Sequence, residues 1–189
     1  MVPLILRLDT AGAPVTWIPW QEAVCLYSRN MVAWTAGASV FTITGGTNRM
    51  TGLRSFVDIN SIIAIKRSST HKHQRNIPPL TNRELFLRDA NLCMYCGGQF
   101  RDSSLTRDHV LPMSRGGRDR WSNVVTACRH CNTQKGNKTP EEARMALLAV
   151  PYVPNWAEYL ALSNRKILAD QMEFLKSQFS KRPLPFIKQ

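Results

Sequence analysis

Four of the five cysteines form two Cys-x-x-Cys pairs, Cys93 with Cys96 and Cys128 with Cys131. Each pair supplies two thiolates from one tight turn, and two such pairs complete the all-thiolate tetrahedral site that structural zinc prefers. Such a site is closed because protein ligands take all four positions, so it stabilises a fold and does not catalyse. The 31 residues at 97–127 that separate the pairs exceed the ~15–20 of common zinc ribbons, so they must hold further structure.

The same part of the chain contains residues that could hydrolyse a phosphodiester bond. Histidine is the side chain best suited to act as a general base near neutral pH, which makes His109 the candidate base. Asp108 and Asn132 would offer two oxygen ligands of the kind that Mg²⁺ or Mn²⁺ takes. Asn123 could hydrogen-bond across the strands and hold the His109 imidazole. Because neighbours on a strand point to opposite faces, Asp108 and His109 serve one site only if the strand bends or the metal lies at its end.

Positive charge is concentrated around these residues. The whole sequence carries a net charge of +12 and has a pI near 10.0. Residues 61–150 hold 15 basic and 7 acidic side chains, which favours a polyanionic partner over a merely solvated basic face. The candidate phosphate contacts are Arg115, Arg118, Arg120, Arg129 and Lys135.

Several other polar residues have plainer interpretations. Asp119 could approach the site from its loop, but we interpret it as a surface charge. His130 could replace Asn132 as a ligand; we favour Asn132 and expect His130 to be exposed. His71 and His73 could bind a metal together, but solvated linker histidines are commoner.

The elements that must position the site follow from periodicity and turn residues. Apolar and polar residues alternate at the start of the segment 105–112, which predicts a strand. A turn rich in glycine and arginine follows at 114–120. A second short strand is predicted at 121–127, and a short helix after it ends at Gly136. The expected layout is therefore strand, loop, strand and helix, with a cysteine pair at either end.

The flanking regions are predicted to form scaffold. Thr81 and Thr139 each begin a capping box, which predicts short helices over 81–89 and 139–148. The N-terminal patterns predict a strand at 4–8, a helix at 20–27, a strand at 40–44 that ends in Gly45-Gly46, and a buried segment at 61–65. Cys25 is expected to be a buried small hydrophobe.

These patterns predict an α+β protein in four parts. The parts are an N-terminal α+β unit at 1–65, a basic linker at 66–80, a zinc-stapled module at 81–150, and a C-terminal helix (residues 156–179) and tail within 151–189. No stretch approaches the ~20 apolar residues of a membrane span, and the first residues do not have the pattern of a signal peptide. We therefore expect a cytoplasmic protein that makes no membrane contact.

The central motif resembles that of the HNH endonucleases, the ββα-metal nucleases. It comprises Asp108-His109-Val110-x-Pro112-x-Ser114-x-Gly116-Gly117, then Asn123, then Cys128-x-x-Cys131-Asn132-x-x-Lys135-Gly136. The resemblance is dense over residues 81–146, and residues 4–65 are similar to the N-terminal region of many stand-alone bacterial HNH proteins. It implies a ββα module in which the four cysteines hold structural zinc.

The resemblance also implies roles for the polar residues. His109 would be the general base, Asp108 and Asn132 the ligands of a catalytic cation, and Asn123 the residue that orients the base or braces the loop. The last motif position is often histidine, and Asn132 makes this chain an H-N-N variant. The missing imidazole argues against tight Zn²⁺ or Ni²⁺ binding at the catalytic site.

Three functions compete on this evidence. An endonuclease that cuts double-stranded DNA explains the base, the ligands and the charge together, and cutting both strands with one site would favour a homodimer. A catalytically silent, zinc-dependent nucleic-acid-binding module would have no need for a base beside a carboxylate ligand. A protein–protein adaptor built on the zinc site explains the cysteines but not the basic segment.

Overall fold

The computed structural model describes residues 3–66 and 77–180, and the chain divides into two compact units. One unit combines residues 3–66 with Trp156–Phe179, and the other contains residues 77–155. The predicted linker at 66–80 falls mostly outside the described residues, as do His71, His73 and the tail after 180. The predicted four-part division stays a prediction.

The first unit contains a four-stranded sheet with helices on either side. Its elements are β1 (Ile5–Leu8), β2 (Pro14–Ile18), α1 (Trp20–Ser28), β3 (Val32–Thr47), β4 (Arg54–Ile65), α4 (Trp156–Ser163) and α5 (Ala169–Lys176). The strand order is β2-β1-β4-β3. β1 pairs in parallel with β4, and the other pairings are antiparallel. The predicted strand at 4–8 and helix at 20–27 are confirmed.

Alternation along β1 and β4 builds a core on both faces of this sheet. Ile5, Ile59 and Ile63 pack on the side of α1, together with Ala23. The intervening residues pack on the side of α4 and α5, and that cluster comprises Leu6, Leu8, Ile62, Ala64, Ala157, Leu160 and Leu175. The run at 61–65 is buried throughout because both faces of β4 are covered there.

Two predictions about this unit are wrong in detail. The helix predicted over 156–179 is two helices, because the Asn164 side chain accepts from the Lys166 N–H and Gln171 then caps a new start at Leu168. The strand predicted to end at Gly45-Gly46 continues to Thr47.

Cys25 contradicts a further prediction. It is exposed on α1 rather than buried, because Ala23 takes the core-facing position of that helix.

The second unit contains α2 (Asn82–Arg88), β5 (Leu105–His109), β6 (Val124–Cys128) and α3 (Arg129–Lys135). β5 and β6 pair antiparallel from Leu105↔Cys128 to His109↔Val124, and α3 follows β6 directly. This is the predicted strand, loop, strand and helix. The mixture of helices with small sheets also confirms the α+β class.

The helix predicted over 139–148 is wrong. The Thr139–Glu142 capping box does form, but the chain makes only one turn. Arg144 adopts a left-handed φ of 56°, and the Met145 N–H bonds to the Pro140 carbonyl at 2.8 Å, which is the pattern that ends a helix. The Leu148 N–H then bonds to the Met94 carbonyl, so the segment is held against the cysteine turn.

A buried ion pair joins α2 to β6. The Arg88 guanidinium donates to both carboxylate oxygens of Asp89, at 2.8 and 3.1 Å, and to the backbone carbonyls of Trp121, Val124 and Tyr152. These bonds satisfy most donors of the Arg88 guanidinium, and the residue is only 3% exposed.

Within the described residues, no helix is long and apolar enough to cross a membrane.

Candidate active site

The four paired cysteines converge on one point. Cys93 and Cys96 lie on the turn after α2, Cys128 ends β6, and Cys131 lies in the first turn of α3. Their sulfur atoms all lie within 4.8 Å of one another. A tetrahedral zinc ion with ~2.3 Å bonds needs sulfurs about 3.8 Å apart, so this arrangement fits a bound metal ion with only a small contraction.

Backbone N–H groups surround these thiols. Burial by itself would raise the pKa of the Cys93 thiol, but hydrogen bonds from the backbone of Cys128, Cys96 and Tyr95 lower it to about 7. The Cys131 N–H donates to the Cys128 sulfur at 3.4 Å. Burial, together with the neighbouring thiols, raises the pKa of Cys131. A cation is therefore needed to hold all four groups as thiolates.

A cleft of about 320 Å³ opens between the end of β5, the turn that follows it, and α3. Asp108, His109, Asn132 and Lys135 all line this cleft. The cleft lies where β5 ends at His109, which is the arrangement that lets strand neighbours serve one site. The structure thus brings together the predicted base and both predicted cation ligands.

The His109 imidazole is held by a carboxylate. Its Nε2 lies 2.9 Å from Asp119 Oδ1, and Arg107 donates to the other oxygen of Asp119 at 2.6 Å. Burial would raise the pKa of the Asp119 carboxyl, but the hydrogen bonds from Arg107 and His109 outweigh it and lower the pKa. A carboxylate only accepts, so a neutral imidazole carries its proton on Nε2 and leaves Nδ1 as the basic nitrogen.

Asp108 has two protein partners. Its Oδ2 accepts from the Tyr95 hydroxyl at 2.5 Å, and its Oδ1 accepts from the Lys135 ammonium at 3.0 Å. Lys135 also donates to the His109 carbonyl at 2.8 Å, and it is 1% exposed. Burial, then the Asp108 carboxylate, raises the pKa of Tyr95, so that the hydroxyl stays protonated and donates. Lys135 is therefore an internal partner of Asp108 that also lines the cleft, and its predicted phosphate contact stays a prediction.

Asn132 is oriented by the neighbouring strand. Its side-chain nitrogen donates to Thr106 Oγ1 at 2.9 Å, and that hydroxyl donates in turn to the Ala127 carbonyl. This network identifies the amide nitrogen and leaves the amide oxygen for another partner.

Asn123 braces the loop that follows β5. Its side chain accepts from the Leu111 N–H and donates to the carbonyls of Leu111 and Arg118, at 2.9–3.0 Å. Gly117 lies so close to the Leu111 carbonyl that a Cβ there would be 1.9 Å from the oxygen. Of the two predicted roles for Asn123, these contacts favour bracing the loop over contacting the imidazole.

The comparisons with known proteins agree with this geometry. The family model for HNH endonucleases matches residues 93–148. Residues 93–148 are thus similar to the HNH endonucleases, and we call this segment the HNH module. A search of curated proteins finds no match to the chain.

This match indicates a nuclease-type function and a nucleic-acid substrate. The matched segment contains both cysteine pairs, β5, β6 and α3, so it covers the metal-binding cluster and the cleft.

Four predicted phosphate contacts of the HNH module lie on its exposed surface. They are Arg115, Arg118, Arg120 and Arg129. Arg115 forms an ion pair with Glu142, and Arg129 donates to the Ser103 carbonyl at 3.1 Å. His130 is exposed, as expected.

Tyr95 and the internal role of Lys135 were not predicted from the sequence. Asp119 was interpreted as a surface charge, but its half-exposed carboxylate contacts His109. Asp119 stands ten residues after His109, and the loop between them has no regular period that would place the two together. Tyr95 lies inside the first cysteine pair, which is a spacer position in a zinc motif. The Gly116-Gly117 turn is the one available signal, because it predicts that the loop folds back on the strand.

Proposed function

We propose that the HNH module hydrolyses phosphodiester bonds in double-stranded DNA, with His109 as the general base. The observation that carries this proposal is that His109, which lines the cleft, is held through Nε2 by the Asp119 carboxylate. A carboxylate on Nε2 positions the imidazole and leaves Nδ1 to take a proton. A histidine held by a carboxylate for a purely structural purpose need not line the same cleft as both predicted cation ligands.

His109 would take the proton from the attacking water through Nδ1, while Asp119 stabilises the resulting imidazolium. Asn123 keeps the loop that carries Asp119 closed through its bonds to Leu111 and Arg118. The exposed arginines of the module would hold phosphates on either side of the cut. The expected products carry 5′-phosphate and 3′-hydroxyl ends.

Asp108 and Asn132 fit a hard divalent cation, Mg²⁺ or Mn²⁺, by the chemistry of their oxygens. A cation at this position supplies positive charge against the scissile phosphate and the leaving oxygen. Each oxygen of Asp108 already has one donor, but a carboxylate oxygen has two lone pairs. Because Lys135 offsets the charge of Asp108, we expect weak cation affinity that improves when phosphate is present.

The contact between Lys135 and Asp108 favours a second candidate function. An ammonium 3.0 Å from the predicted ligand would suit a module that binds nucleic acid through structural zinc without cutting it. Zinc at the four cysteines belongs to both candidates. A cytoplasmic location and a homodimer that cuts both strands stay predictions.

A plasmid assay separates the two candidates. We expect the zinc-loaded chain to nick or linearise supercoiled plasmid when Mg²⁺ or Mn²⁺ is added, and to leave it intact with zinc alone. Excess chelator is not the matched control, because it would also remove the structural metal. Salt-sensitive binding without cutting under any metal would replace the nuclease with the binding module.

Replacing Asp119 with alanine is expected to lower the single-turnover rate about 100-fold, because a misplaced base loses its alignment with the water. Asp119→Asn should recover part of this rate, since an amide oxygen can still accept from Nε2. Neither variant should change DNA affinity by much more than its altered charge requires. A loss of affinity with an unchanged rate at saturation would show that Asp119 has no positioning role.

A further inference from the structure

The β3–β4 ribbon extends beyond the core of the first unit. Ile59 is the last buried residue of β4 on the way to the tip, yet pairing continues from Thr42↔Asp58 to Thr47↔Arg54. Six residues of β3 at ~3.4 Å each make this extension about 20 Å long. Its residues are exposed or half-exposed, and Val57, next to Asp58, is the one described among them that packs against the core.

The turn at the tip is well organised. The Asn48 side chain accepts from the N–H groups of Met50 and Thr51, at 2.9 and 3.2 Å. The Asn48 backbone bonds to both Leu53 and Gly52 at 2.8 Å, and Gly52 supplies the left-handed φ of 69° that the turn requires. These bonds therefore hold the backbone of the tip in a defined turn.

The tip combines positive charge with uncovered apolar side chains. Met50 is 96% exposed, Leu53 71% and Phe56 66%. Arg49 and Arg54 lie among them, and the sequence contains no acidic residue from position 30 to position 57. An exposed apolar group of this kind indicates a binding surface, and the charge around it is complementary to phosphate.

We propose that this ribbon tip, formed by Arg49, Met50, Leu53, Arg54 and Phe56, is a second DNA-contacting element of the protein. The proposal rests on the DNA substrate proposed above. The major groove of a duplex admits a two-stranded ribbon. The two guanidinium groups bind phosphates at the edges of this groove, and the apolar side chains contact base edges within it, such as the methyl group of thymine.

The test measures binding of the full chain with His109→Ala, which prevents cutting, to a fluorescent DNA duplex at several salt concentrations. We expect the double variant with Arg49→Ala and Arg54→Ala to bind DNA roughly tenfold more weakly. The fall of log K with log salt should become less steep by about 2, because each phosphate contact contributes ~0.9 to that slope. Met50→Ala with Phe56→Ala should weaken binding and leave the slope unchanged.

The matched control removes the same charge elsewhere in the unit. Arg29 and Arg165 are both exposed, and replacing both with alanine should change neither affinity nor slope. All variants alter exposed side chains, so thermal unfolding should stay as in the parent chain.

If the ribbon variants bind DNA as tightly as the parent chain, the ribbon proposal is overturned. The nuclease function is tested separately, because it stands if the chain with His109 intact still cuts plasmid. A change in oligomeric mass without a change in DNA binding also overturns it, because the tip would then bind protein. Absence of both binding and cutting in the unaltered chain overturns both proposals.

Discussion

His109→Ala is expected to lower the single-turnover rate of DNA cleavage by about 10²–10⁴-fold, the usual contribution of a general base. The imidazole contacts Asp119 through Nε2, and no hydrogen bond to Nδ1 occurs within the described residues, so the substitution removes the proposed base without breaking the core. DNA affinity should hardly change. Rates measured with enzyme in excess over a labelled duplex test this, because they isolate chemistry from product release.

His130→Ala is the matched control for this measurement. His130 belongs to the same module and is exposed on α3, and alanine suits a helix. We expect the control to cut at the rate of the unaltered chain. Equal cutting by His109→Ala would remove His109 as the base, and a comparable loss in both variants would indicate damage to the module instead.

Cys93→Ser is expected to abolish stoichiometric zinc binding and to unfold the HNH module. Structural zinc contributes ~10–16 kcal/mol of binding free energy in small modules, and a whole domain has only ~5–15 kcal/mol of stability. Cys93 is fully buried among the other thiols, so the module cannot compensate by rearranging a surface group. Zinc content per chain and the thermal unfolding curve measure the effect.

Cys25→Ser is the matched control for the zinc prediction. Cys25 is an exposed cysteine on α1, outside the metal cluster. The control should keep one zinc per chain and the melting temperature of the unaltered protein. A Cys93→Ser chain that did the same would show that the cluster is not a structural zinc site.

Several features of the HNH module could be predicted from the sequence because their causes are local. Two Cys-x-x-Cys turns each place a pair of thiols, whatever the rest of the fold does. Thr81 and Gly136 likewise mark helix ends in the structure. The predicted capping box at Thr81 does not form, because the Thr81 hydroxyl donates to the Glu84 carboxylate and does not accept from the backbone. The second capping box shows the limit of such evidence, since it forms but leads only to a single turn that closes at Arg144.

The contacts that define the cleft could not be predicted in this way. Whether Asp119 reaches His109 depends on the path of a loop with no regular period, and that path depends on Asn123 and on the close approach of Gly117 to Leu111. The burial of Lys135 against Asp108 depends on how α3 packs on β5. From the sequence alone, a lysine in a basic motif is predicted to lie at the surface, because charged side chains are seldom buried without a partner.

The sequence by itself indicated the resemblance to the HNH endonucleases, the metal-binding cysteines and the identity of the candidate base, since each depends on residue type and short spacing. Only the tertiary structure decided which groups surround that base, that Trp156–Phe179 packs with the N-terminal sheet, and that the β3–β4 ribbon extends past its core. The physical reason is the sequence separation between the residues that make contact. Those features depend on contacts between residues far apart in sequence, and no local pattern specifies which distant partner a side chain meets.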